Sequence, residues 1–243
     1  MNYMKIKYGP GLIILAIFLF LFNSSFIANA AEDGTIKWNN NNCGHPDITI
    51  GLDGTLYLGS TSENYDAGLC AISPDGVFKW IWQDGNSGYV NTPSIAIDGT
   101  LYIPTSNNLI AIKPDKTVNW IYPISIGQNC SPAIDVGGTI YIGSTQGHFD
   151  AINIDGTKKW SFTKGRVFSS TPAIGNDGTI YAGSYAENDW HLHAITPNRT
   201  EKWVFIFPEW SNSWLDLPSP VIALDGTIYI GPNLSDSPAD QSF

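Results

Sequence analysis

The sequence predicts an all-β protein, a β-propeller of four-stranded blades about 40 residues long. Three observations carry that expectation. Trp38, Trp80, Trp120, Trp160 and Trp203 recur every 40 to 43 residues, closing the phrases DGTIKW, DGVFKW, DKTVNW, DGTKKW and NRTEKW. A second phrase alternates with the first: DGTLYLG from Asp53, DGTLYIP from Asp98, GGTIYIG from Gly137, DGTIYAG from Asp177 and DGTIYIG from Asp225. Short runs of β-branched and aromatic residues lie between Asp-Gly turn signals, as strands do between hairpin turns. A self-similar period of this length marks an array of supersecondary units stacked on one another.

Each unit resolves into four strands, A to D from the axis outward. NTPSIAI, CSPAIDV, STPAIGN and PSPVIAL supply strand A, and the Tyr-bearing phrase supplies strand B. Strand C is an x-Ala-Ile element at Ala71, Ala111, Ala151 and Ala194, and strand D ends each unit with its tryptophan. The Asp-Gly pairs read as two-residue hairpin turns, where glycine takes positive φ at little cost. Asp33, Asp75, Asp115 and Asp155 read as turn formers, one per repeat, rather than as calcium ligands. The repeat tryptophans read as packing residues between blades. The chain shows a lone strand D (Thr35 to Trp38), four full blades, then A and B of a fifth ending near Gly231. About five blades are thus present. The reading favours an incomplete seven- or eight-bladed ring over a five-bladed ring with a defective blade, and an open array would expose strand edges.

Residues 1–30 read as a signal peptide and residues 31–243 as the repeat domain. Lys5 and Lys7 precede an apolar run from Leu12 to Phe22, and Ala28-Asn29-Ala30 supplies a small-x-small cleavage pattern. A membrane contact is expected only if that segment stays uncleaved. Without Lys5 and Lys7, ten Lys and Arg face 22 Asp and Glu, a net charge near −12. Such a surface repels phosphate backbones, so nucleic acid is excluded as a partner. Cys43, Cys70 and Cys130 are odd in number, so at least one is unpaired, and the sequence leaves open which two, if any, pair.

Length variation falls in the B–C and D–A connections, which share one face of the disk, and binding residues concentrate in such loops. The longest insertions are residues 184–191 and 207–216, and they hold Trp190, Trp210 and Trp214. With Tyr185, Glu187 and His191 these form the candidate ligand-binding set, an aromatic and acidic patch for a sugar ring or a protein anchor. The other reading has the tryptophans cap the end of the blade core. His191-x-His193, near Glu187 and Asp189, has the spacing of a chelate on one side of a strand. His148 stands at the matching place in blade three, however, and no metal site is expected.

Ala-x-x-x-Asp-Gly-Thr-x-Lys-Trp, clearest from Ala151 to Trp160, resembles the PQQ-like (quinoprotein-type) repeat family. That family includes quinoprotein dehydrogenases and the lipoprotein scaffold of the bacterial outer-membrane assembly machine. The resemblance covers nearly all of residues 31–243, and the constant Ala-to-Trp spacing of nine is similar to the non-enzymatic variant. It implies blades whose tryptophans dock on their neighbours. The dehydrogenases carry adjacent cysteines beside the quinone, and this chain has none. A quinone also needs cations and calcium ligands. Arg166 and Lys164 stand alone and Arg199 lies on the wrong face, so no PQQ or other cofactor is expected. Glu187, Asp189, Glu209 and Asp216 are the carboxylates available for an acid/base pair, but the arginine cluster of sialidase-type propellers is missing. No catalytic residue is assigned. The expected role is an exported, extracytoplasmic (secreted, periplasmic or cell-surface) module that binds an envelope or surface protein. A carbohydrate-binding module is the alternative, and a quinoprotein-type oxidoreductase a distant third.

Overall fold

The computed structural model describes residues 26–29, 36–40, 48–59, 68–83, 85, 88–164, 166–186, 189–207 and 219–231, the first two stretches as backbone only. All elements among them are strands, and none is a helix able to cross a membrane. Blade one comprises β3 (Thr49–Ile50), β4 (Leu56–Gly59), β5 (Gly68–Ile72) and β6 (Phe78–Gln83). Blade two has β7 (Ser94–Ile95), β8 (Leu101–Pro104), β9 (Asn108–Ile112) and β10 (Val118–Pro123). Blade three has β11 (Ala133–Ile134), β12 (Ile140–Gly143), β13 (Phe149–Ile152) and β14 (Lys158–Phe162). Blade four has β15 (Ala173–Ile174), β16 (Ile180–Ala186), β17 (Asp189–Ile195) and β18 (Glu201–Phe207). Each is an antiparallel meander in strand order A-B-C-D. Strands β19 (Val221–Ile222) and β20 (Ile228–Tyr229) pair as A and B of the next unit. The propeller-blade expectation is met.

The Asp-Gly turns differ from the expected two-residue form. The amide of Gly54 donates to Gly51 O, that of Gly99 to Ala96 O and that of Gly156 to Asn153 O, so glycine is the fourth residue of its turn. It takes φ of 78°, 83° and 86° at these positions. This is the longer hairpin connection in which a left-handed glycine forms a bulge. The preceding aspartate caps the turn from within: Asp53 Oδ1 accepts from the Thr55 amide at 3.0 Å, and Asp98, Asp115, Asp155, Asp177 and Asp225 repeat the bond.

The repeat motif is one row of side chains. Tyr57 faces Ala71, which faces Trp80, and Tyr141, Ala151 and Trp160 repeat the register. Alanine is small enough for the flanking rings to meet across it, at centroid distances of 5.8 Å in both blades. The tryptophans then reach forward. Trp120 Nε1 donates to Ile154 O at 2.9 Å and Trp160 Nε1 to Pro197 O at 2.8 Å, both in the C–D turn of the following blade. Trp120 lies so close over Gly156 that a Cβ there would sit 2.7 Å from the ring. Trp80 meets Lys116 instead, whose ammonium stands 5.9 Å from the ring centroid and whose φ is 71°. Leu109, Ile126, Ile140 and Ile152 belong to one buried cluster that bridges blades two and three.

The first hairpin departs from the lone strand expected at the N-terminal side. β1 (Phe26–Asn29), inside the stretch read as a signal peptide, pairs with β2 (Ile36–Asn40), which carries Trp38. Its register, Ala28 opposite Trp38 followed by a bulge, copies that of the C–D hairpins. The remainder of residues 1–30 lies outside the described residues, as does the side chain of Trp38.

Candidate functional site

Blade four departs most from the repeat. Its B–C insertion is no loop: β16 and β17 extend to seven residues each, pairing Ser184 with His191, Tyr185 with Trp190 and Ala186 with Asp189. The extension is anchored sideways. Tyr185 and Val167 exchange backbone hydrogen bonds, so the connection from blade three adds a short bridge to the lengthened strand.

This architecture places the predicted site residues as follows. Tyr185 and Trp190 meet edge to face at 6.3 Å. Trp190 is 6% exposed, so its indole face is turned into the blade, and its Nε1 is buried without a partner. His191 is half-buried, its ring 5.9 Å from that of His193. Glu187, Trp210 and Trp214 lie outside the described residues, as do Glu209 and Asp216. Among the described residues no group of three or more His, Cys, Asp or Glu could hold a metal ion.

A polar network that the sequence did not single out runs beneath the hairpin. His193 Nε2 lies 2.8 Å from Ser184 Oγ, and His193 Nδ1 lies 2.8 Å from Glu201 Oε1. Lys164 of blade three closes the chain with a short bond to Glu201 Oε2. Phe162 and Phe168 pack on the imidazole, with centroids at 5.4 and 5.6 Å. Burial lowers the His193 pKa, and the partial compensation from Glu201 does not reverse it. Glu201 is pushed up by burial, yet its bonds from Lys164 and His193 outweigh this and leave it low. A hydroxyl, an imidazole and a carboxylate in this order have the geometry of a nucleophilic triad. Ser184 is wholly buried, however, so its oxygen meets no solvent-borne substrate. The network is therefore a satisfied interior one, which fixes blade four against blade three. A sequence signal existed: His193 and Glu201 stand where the other blades have Cys70 and Phe78, Ile110 and Val118, and Asp150 and Lys158, so blades three and four both carry polar residues at these two places.

The corresponding place in blade three holds Asp150, also fully buried. Tyr122 of blade two donates to its Oδ2 at 2.7 Å, and His148 Nδ1 stands 3.2 Å from its Oδ1, close enough for an ion pair but not aligned as a hydrogen bond. Burial, with Asp150 second, pushes the Tyr122 phenol well above its ordinary range.

The opposite side of blade four presents apolar side chains among the described residues. Trp203, Val204, Phe205 and Ile206 of β18 are each substantially exposed. Leu192, Trp203, Phe205, Phe207 and Ile228 line an apolar groove between β18 and the β19–β20 hairpin. In blades two and three the matching residues, Trp120 and Tyr122 or Trp160 and Phe162, are covered by the following blade. Of the cysteines, Cys70 is disulfide-bonded, whereas Cys130 is free and buried, which pushes its thiol up to about 12.

A family model described as outer membrane protein assembly factor BamB matches residues 22–203. Among solved structures, BamB from Moraxella catarrhalis is similar at 17% identity and a TM-score of 0.56, over 79% of this chain and 67% of that one. A streptogramin B lyase is similar at 15% identity and a TM-score of 0.63, over 86% and 69%. Virginiamycin B lyase from Staphylococcus aureus is similar at 13% identity and a TM-score of 0.61, over 91% and 88%. At these identities the likeness is one of fold. No curated protein matches the sequence.

Proposed function

Because the chain belongs to the family of outer membrane protein assembly factor BamB, we propose that it is a non-catalytic, extracytoplasmic scaffold that docks an extended segment of an envelope protein along β18. The single observation carrying this reading is the apolar outer strand of blade four, whose residues are substantially exposed among the described residues. It is seven residues long, it is the last strand of its sheet, and its groove is lined by Trp203, Phe205 and Phe207. An exposed edge strand offers unpaired N–H and C=O groups, and pockets for alternate side chains beside it give selectivity. The disulfide at Cys70 supports an oxidising compartment. The sealed Ser184 hydroxyl supports a role without chemistry at the triad-like network, although two structural relatives are called lyases.

The test is site-specific photocrosslinking in cells, with the reactive residue placed at Phe205 of β18 and, as control, at Lys158 of β14. One envelope protein crosslinked at Phe205 and absent at Lys158 is the expected result. Equal yields at both positions, or none at Phe205, would sink the scaffold reading. Glycan recovered instead, in a manner dependent on Trp190, would move the assignment to carbohydrate binding.

A further inference from the structure

The A–B turns and C–D turns of this chain share one backbone form but differ in the residue at the tip. In both, the fourth residue's amide returns to the carbonyl of the first. The second position of such a turn favours proline, whose φ is already set, and three of the four C–D turns comply with Pro74, Pro114 and Pro197, while blade three places Ile154 there, 56% exposed. The A–B turns instead place Leu52, Ile97, Val136 and Leu224 there, with Asn176 in blade four. Leu52 is 84% exposed, Ile97 94% and Leu224 96%, while Val136 is fully exposed. These side chains stand almost wholly in solvent, and aliphatic residues at a turn tip gain no backbone advantage. Asn176 shows that the same turn forms with a polar tip.

The tips lie together because the A strands do. Ser131 Oγ donates to Thr92 O at 2.8 Å, the Ser131 amide to Thr171 Oγ1 at 2.9 Å and the Thr171 amide to Ser219 Oγ at 3.0 Å. These bonds stitch the starts of successive A strands into an inner arc, and the A–B turns crown its far end. Each aliphatic tip has a carboxylate beside it: Asp53, Asp98, Asp135 and Asp225, with Asp177 next to Asn176. Lys79 pairs with Asp53 and Lys202 with Asp177, and Lys159 donates to Thr139 Oγ1 at 3.1 Å at the third A–B turn, while no lysine pairs with Asp98, Asp135 or Asp225 among the described residues.

We propose that the A–B turn face is a second interaction surface, which docks a protein segment carrying apolar side chains flanked by Lys or Arg. Apolar tips ringed by carboxylates match such a segment in both respects and repel anionic lipid headgroups. The surface is separate from β18, so either reading stands or falls without the other.

The test uses the full chain and a synthetic peptide of alternating Lys and Leu, with a Glu–Leu peptide as counterpart, read by fluorescence anisotropy. The variant is Leu52→Asn/Ile97→Asn/Val136→Asn/Leu224→Asn, which gives every A–B turn the residue already found in blade four and keeps all charges. The Lys–Leu peptide binds the parent, the Glu–Leu peptide binds at least about tenfold more weakly, and the variant loses about tenfold for Lys–Leu at an unchanged melting temperature. Equal affinity of parent and variant would overturn the proposal, as would failure of the parent to bind Lys–Leu peptide. Neither phosphatidylcholine vesicles nor vesicles containing phosphatidylglycerol should cosediment with the protein. Cosedimentation abolished in the variant would reassign the ring to lipid.

Discussion

Blades three and four both close on a Lys-Trp pair, in the phrases DGTKKW and NRTEKW, and use the tryptophan under opposite conditions. Trp160 of blade three packs at a tilt on Tyr141, approaches Phe149 and donates its indole proton to the following blade. Trp203 of blade four makes the same contact with its own tyrosine, Tyr181, at 5.7 Å, but its outer face is 40% exposed. The motif therefore builds the row within a blade, whereas the neighbour decides whether that row becomes core or surface. The same repeat tryptophan is thus covered in one unit and, among the described residues, partly exposed in the next.

The sharpest way to break this contrast is to truncate both rings. Trp160→Ala should cost about 3 kcal/mol, the low end for losing a packed aromatic side chain, and Trp203→Ala about 1 kcal/mol. Urea midpoints would measure the difference, and equal losses would show that blade four is covered in solution. A comparable pair lies in the glycines. Gly156→Ala places a methyl against the Trp120 ring as well as straining a φ of 86°, while nothing lies within 4 Å of the Cβ position of Gly226. The first substitution should cost about 3 kcal/mol and the second about 1 kcal/mol, the left-handed strain alone. The same urea titration reads both.

Acid sharpens the comparison further, because blade four alone places a histidine in the buried strand C position. The folded pKa of His193 is below its unfolded value, so the fold binds this proton less readily than the open chain. Its contribution is complete above the unfolded value near 6.5 and is lost as pH falls through the folded value. Hydrogen exchange in β17 should quicken between pH 7.5 and 5.5 while β13 changes little, and His193→Phe should flatten the response of β17. The smallest effect concerns Cys130, which donates to Ser170 O between blades three and four. At pH 8 iodoacetamide should leave it unmodified for hours in the native protein and label it fully in denaturant. Rapid native labelling would mean that the inner arc opens at this junction.

The repeat explains why so much of the fold was legible. Every strand-forming phrase occurs at least four times, so the Tyr–Ala–Trp row and the Asp-capped turns could be read from alignment of the chain with itself. The turn type could not, because Asp-Gly fits both a two-residue turn and the longer bulged one, and hydrogen-bond closure decides between them. The candidate site was less legible. Ser184 to His191 looked like a loop because it exceeds the repeat length, yet alternate residues keep strand spacing and the hairpin simply grows. Burial of Trp190 follows from that growth. The Ser184–His193–Glu201–Lys164 network joins three strands of one blade to the edge of another, and only their stacking brings those side chains within reach. Glu187, Trp210 and Trp214, also candidates from the sequence, lie outside the described residues.

The forward reach of the repeat tryptophans also has a direction in time. Trp120 waits for a carbonyl 34 residues further along the chain, and Trp160 for one 37 residues further. A blade emerging from a ribosome or a translocation channel is thus unfinished until about one more repeat has followed it. Growth then proceeds as a zipper, each unit sealed by its successor, with a leading edge always one blade ahead of the finished core.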